Sequence, residues 1–119
     1  MARTNISPVS LPSKYPATPL AADAADLTFT QADDVNGNEF SGVRALILAW
    51  NKHATIAQTV GIPSVIDEKN RKGDITAYSI GPGEIAAFQV DIPGWMQIDG
   101  KIQLDASTTD IWFAVIPLD

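Results

Sequence analysis

The chain is 119 residues long, sets 14 Asp and Glu against 8 Lys and Arg for a net charge of −6, and contains no cysteine. A domain of that length buries roughly 65% of the surface its unfolded chain exposes, enough for one hydrophobic core. The acidic balance disfavours nucleic acid as a partner, since affinity for a phosphate backbone rests on Lys and Arg, and without cysteine neither disulfides nor thiolate metal sites can support the fold.

The opening Met1-Ala2-Arg3-Thr4-Asn5 carries no apolar run, so a secretory signal is not expected. No stretch approaches the roughly 20 apolar residues that cross a bilayer, so no membrane partner is expected either. The expectation is a soluble chain that stays in the compartment where it is made.

Residues 1–25 contain Pro8, Pro12, Pro16 and Pro19 among scattered single hydrophobics. Proline removes a backbone donor and fixes φ, which forbids a regular helix or a central strand. An extended arm is expected here, either a disordered tail or a strap that orders against a neighbour.

From Leu27 onward, short apolar runs are broken by turn residues every eight to twelve positions, the pattern of an all-β sandwich or barrel in residues 26–119. Leu27 to Gln31 reads as a weak first strand. Val43 to Trp50 is the clearest strand, a nearly continuous apolar run of the kind covered on both faces, and this places Trp50 in the core. Thr55 to Ile62 follows, with Ile56, Gln58, Val60 and Ile62 on one face and Pro63 closing it. The charged stretch Asp67 to Asp74 reads as a solvated loop.

Ile75 to Ile80 alternates, Gly81-Pro82-Gly83 is a tight turn, and Glu84 to Val90 returns as a strand. Pro93-Gly94 predicts another turn, Trp95 to Ile98 a short strand, and Asp99-Gly100 a hairpin turn into Ile102 to Leu104. Ile111 to Ile116 is the last strand, with Trp112 assigned to the core. About eight antiparallel strands fit a jelly-roll-like or Greek-key β-sandwich with an N-terminal arm, and an immunoglobulin-like sandwich is the rival.

No catalytic signature emerges. His53 is the one histidine and reads as a loop residue with no nucleophile or carboxylate nearby in sequence. Asp34, Asn36 and Asn38 have the alternate spacing of a calcium loop, but the glycine falls at the fourth position and Ala45 stands where a bidentate Glu is needed. Gly81-Pro82-Gly83 precedes a strand rather than the helix that a phosphate loop requires. Lys69, Arg71 and Lys72 are flanked by Asp67, Glu68 and Asp74, so their field largely cancels. No enzyme, cofactor or metal is therefore expected. For surface recognition Trp95, beside a Pro-Gly turn, and Tyr78 are the aromatic candidates.

The order of turns and strands resembles small tailed-bacteriophage capsid decoration, or head cement, proteins. The opening Met1-Ala2-Arg3-Thr4 with its proline-containing arm is similar to theirs, as is Asn36-Gly37-Asn38-Glu39-Phe40 leading into the apolar strand that ends at Asn51. Ile80-Gly81-Pro82-Gly83-Glu84 corresponds to their Val-Pro-Ala-Gly turn, although Gly81-Pro82 replaces the usual Pro-Ala. Asp99-Gly100, then Ile102-Gln103-Leu104-Asp105, then a strand ending Ile116-Pro117-Leu118 has the layout of their final hairpin.

The resemblance spans most of the chain and implies a jelly-roll-like domain on the capsid surface of a virion, made in the host cytoplasm. Its partners would be the major capsid protein and neighbouring copies, a trimer being favoured. The arm would contribute Arg3, Asn5, Ile6, Val9, Leu11, Tyr15 and Leu20 to the capsid or to an adjacent copy. Two other readings stand beside this one: a phage tail or head-fibre component, and a carbohydrate-binding β-sandwich that would use Trp95 and Tyr78.

Overall fold

The computed structural model describes residues 3–9, 26–42, 44–65 and 73–118, with Ile92 and Pro93 described in backbone only. Among them are nine strands and a single helical turn: β1 (Thr4–Asn5), β2 (Thr30–Gln31), β3 (Asn38–Ser41), β4 (Arg44–Asn51), β5 (Gln58–Ile62), β6 (Ile75–Ile80), β7 (Ile85–Asp91), α1 (Ile92–Trp95), β8 (Lys101–Ala106) and β9 (Ile111–Pro117). The fold is all-β. The strands form a five-stranded sheet of order β1-β3-β8-β5-β6 and a four-stranded sheet of order β2-β9-β4-β7. The ladders are antiparallel except that β1 runs parallel to β3.

At the centre of the smaller sheet β4 pairs with β9 from Ala45↔Pro117 to Asn51↔Ile111, and with β7 from Arg44↔Asp91 to Trp50↔Ile85. Successive side chains point to opposite faces. Ala45, Ile47 and Ala49 therefore turn the same way as Phe113 and Val115, into the core that Phe40, Val60, Ile102 and Leu104 fill from the larger sheet. Asn51 ends β4 on that inner face and is fully buried. Its Nδ2 donates to Ile56 O and Ile80 O at 3.0 and 2.9 Å, and its Oδ1 accepts the His53 N–H, so the buried amide is satisfied while it ties together the ends of two sheets.

The Gly81-Pro82-Gly83 turn forms as expected, with Gly83 at φ +76° and its N–H donating to Asn51 O at 2.8 Å. Other expectations shift. Trp95 to Ile98 is not a strand: the chain makes one helical turn, α1, and the Val65 N–H pins it by donating to Gly94 O at 2.7 Å. Asp99-Gly100 does turn the chain, Gly100 N–H donating to Gln97 O at 2.9 Å, but it joins a loop to β8 rather than two strands.

The strand expected from Thr55 begins at Gln58, because the Thr55 and Ile56 N–H groups donate to His53 Nδ1 and so leave the ladder. The strand expected from Leu27 shrinks to β2, and β1 and β3 are additional. Most of the charged loop expected at 67–74 lies outside the described residues.

Phe113 is 1% exposed and lies on the central strand of the smaller sheet, so its truncation leaves a cavity that neighbours on both sheets cannot fill. Phe113→Ala is expected to lower unfolding free energy by about 3–5 kcal/mol. Urea denaturation with an unchanged m-value checks this.

Candidate interaction surface

The described part of the N-terminal arm is held on the chain's own two sheets. Thr4 N–H donates to Gly37 O at 3.0 Å and Ile6 N–H to Glu39 O at 2.8 Å, while the Ile6 side chain enters the core at 1% exposure. Val9 N–H then donates to Val115 O at 2.7 Å. Ala32 N–H donates to Ile111 O on the same strand, and residues two and four further along β9 direct their carbonyls to the same side. Val9 thus sits on the β2 edge of β9, and residues 3–9 pass from one sheet to the other.

A polar clasp fixes this passage. Arg3 Nη1 donates to Asp105 Oδ1 at 2.6 Å and reaches Asn38 O and Leu104 O at 3.3 Å. It lies so close to Gly37, at φ +82°, that a Cβ there would collide with the guanidinium. The fully buried Asn38 accepts the Asp33 N–H and donates to Thr4 O. Asp33 accepts the N–H groups of Val35 and Asn36 and the Thr4 hydroxyl, the last at 2.6 Å. Of the residues weighed as a calcium loop, Asn36 is hydrogen-bonded to Asp33 and Asn38 to Asp33 and the arm, while Asp34 is exposed. Asn5 is exposed, and Leu11, Tyr15 and Leu20 lie outside the described residues.

The tryptophans redistribute. Trp50 and Trp112, expected in the core, are cross-strand partners on the outer face of the four-stranded sheet and are half-buried. Phe29 meets Trp50 edge-on at 5.4 Å, and Lys52 Nζ lies 4.6 Å from the Trp50 ring and 3.9 Å from the Trp112 ring. By register the same face carries Leu46, Leu48, Ile85 and Ala87, and Ile85 is 53% exposed. The same register puts the buried Ala114 and Ile116 on that face beside the half-buried Leu46 and Leu48, so the apolar outer face is most accessible toward β7.

The signal that marks this face is parity. Arg44 and Lys52, both exposed, share the even positions with Leu46, Leu48 and Trp50, so the even side had to meet water at both ends. Of the aromatics first singled out, Trp95 is half-buried against the core, whereas Tyr78 is 50% exposed with its ring edge-on to Phe88.

A depression of about 330 Å³ lies between β5, β6 and β8, lined in part by Thr59, Gly61, Asp74 and Asp105. Its carboxylates are committed: Asp74 accepts from the Ser64 N–H and hydroxyl, and Asp105 from Arg3. Among the described residues no three His, Cys, Asp or Glu side chains converge as a metal site would require. Comparison with family models, curated proteins and solved structures returned no match.

The Asn36 backbone N–H, followed by the Thr4 hydroxyl, draws the Asp33 carboxyl from an ordinary 3.8 down to about 2. A folded-state value below the unfolded one stabilises the fold above pH 3.8, and that contribution disappears as pH falls through about 2. Asp33→Asn is expected to be less stable than the parent at pH 7, with the gap closing between those two values. Thermal melts of both proteins across that range check it.

Proposed function

We propose that the chain is a structural protein of a tailed-phage virion, a capsid decoration protein that binds the major capsid protein in many copies and stabilises the assembled lattice. It acts by contributing surface rather than by catalysis. The observation that carries the reading is the apolar outer face of the four-stranded sheet, with Leu46, Leu48, Trp50, Trp112 and Ile85 brought together on one rigid support. Leu46, Leu48, Trp50 and Trp112 are half-buried and Ile85 is exposed, and an interface uses such partly exposed apolar residues on one support as its energetic centre. A protein that binds the assembled shell and not its free subunits opposes disassembly by linkage, and many copies multiply a modest individual contact.

The finer architecture fits this use. We read the fold as a jelly roll: the pairs β2 with β9, β3 with β8, β4 with β7 and β5 with β6 are the rungs of one long antiparallel ribbon rolled into two sheets. The clasp fixes residues 3–9 on the domain, and Leu11, Tyr15 and Leu20 are the proposed contacts to the capsid or to adjacent copies in a trimer. A tail or head-fibre component would use the same face at few sites, so copy number separates the two readings. A carbohydrate platform on Trp50 and Trp112 would first have to displace Lys52 from both rings.

Quantifying the protein in purified virions is expected to give on the order of hundreds of copies per particle, as lattice binding requires. Leu48→Glu, at the middle of the face, is expected to fold yet to bind decoration-free heads about tenfold or more weakly in co-sedimentation. A handful of copies per particle, or undiminished binding by the variant, contradicts the proposal.

A further inference from the structure

The two open sides of the sandwich are finished differently. On one, residues 3–9 cross from sheet to sheet and Ile6 enters the core at 1% exposure. On the other lie β6 and β7, and side chains that point between the sheets there stay partly open to water. Tyr78 shares the inner face with its buried ladder partner Val60 yet is 50% exposed, and Ala86 and Phe88 are half-buried. The Tyr78 and Phe88 rings meet edge-on at 5.4 Å across the gap.

β7 is also the one sheet edge that is not blunted. A long unpaired strand presents a row of backbone donors and acceptors that templates aggregation, and folds usually avoid one. β1 and β2 are two residues each, and β6 is irregular, with Ala77 at φ +50° and a register shift against β5 between Val60 and Ile62. β7 runs for seven residues in unbroken register with β4 and carries no charge from Ile85 to Val90. Asn51 N–H donates to Glu84 O, so Ala86, Phe88 and Val90 bond toward β4, while Ile85, Ala87 and Gln89 direct their N–H and C=O groups away from it. No strand among the described residues pairs with that side.

We propose that a second copy of the same chain occupies this edge, its β7 paired antiparallel with the first about a two-fold axis at Ala87. The outward backbone groups are symmetric about that residue, so two copies exchange hydrogen bonds between Ile85 and Gln89, between Ala87 and Ala87, and between Gln89 and Ile85. The same pairing sets the half-buried Phe88 of each copy opposite the small Ala86 of the other on the inner face, so each copy extends the other's core at the side left open. Charge does not oppose it. Glu84 and Asp91 lie on opposite faces of the strand, and Asp91 is 3.6 Å from Arg44, so no two carboxylates are set against each other on one face. A second copy is moreover present wherever the chain is made, and so covers the edge from the start, which a partner met later does not. The inference goes beyond the proposed function: both outer faces lie on one side of the joined sheet and stay free for a partner.

Sedimentation equilibrium of the full-length protein from micromolar to millimolar concentration is expected to reach twice the chain mass. Ala87 is exposed and sits at the axis, so Ala87→Lys and Ala87→Glu each set like charges directly opposite and are expected to raise the dimer dissociation constant about fivefold, while an equimolar mixture of the two variants recovers association. In the parent protein, amide exchange at Ile85, Ala87 and Gln89 is expected to slow about tenfold from the dilute to the associated end, with little change at Ala86 and Phe88, which already bond to β4.

A chain that stays monomeric throughout, an oligomer that neither variant weakens, or a mixture that recovers nothing would each overturn the proposal. None of these outcomes alters the test of head binding by Leu48→Glu, so the edge contact and the attachment face fail separately.

Discussion

The pairing register of β4 between β9 and β7 decides which side of the most apolar strand meets the core and which meets water. Ala45, Ile47 and Ala49 are small or medium and turn inward opposite Phe113 and Val115, while Leu46, Leu48 and Trp50 turn outward beside Trp112. A slip of one residue would exchange the two sets, driving the bulky side chains into a core already filled by Phe40, Ile102 and Leu104. The same register orients the backbone of β7, so the outer aromatic cluster and the outward-directed edge are two results of one alignment. Asn51 locks its far end, because the buried amide is satisfied only where Ile56, His53 and Ile80 converge on it.

The N-terminal segment closes the assembly from the opposite side. Ile6 fills the core, Arg3 bridges Asn38 and Leu104 to Asp105, and Asp33 and Asn38 hold Thr4. These contacts span about a hundred residues of sequence separation, since Arg3 and Asp105 are 102 positions apart. Early and late parts of the chain must therefore meet before the clasp forms, and such non-local pairings are slow to assemble.

What the sequence discloses and what it hides divide along physical lines. Strands bounded by strong turn chemistry were legible: Ile75–Ile80 stands where expected, and Gly81-Pro82-Gly83 and Asp99-Gly100 both turn the chain. The facing of Trp50 and Trp112 was not, because a strand apolar on both sides erases the period-two signal, and only the flanking Arg44 and Lys52 retain it. Trp95 to Ile98 was too short for periodicity to separate strand from turn. β1 was invisible because Thr4 and Asn5 pair through partners 34 residues away, which no local pattern encodes. The clasp combines residues from three distant stretches, and nothing in the local sequence around Asp33 and Asn38 indicates that Arg3 would join them.

The most direct test is a measurement of that register in solution. Ala49 faces Phe113, and Ile47 faces Val115, as non-hydrogen-bonded pairs whose α-protons approach closely in an antiparallel ladder. NOE spectra of the full-length protein should show strong Hα–Hα cross-peaks for Ala49 with Phe113 and for Ile47 with Val115. Cross-peaks joining Ala49 to a position one residue away on β9 would put Trp50 and Trp112 on opposite faces of the sheet and contradict the account.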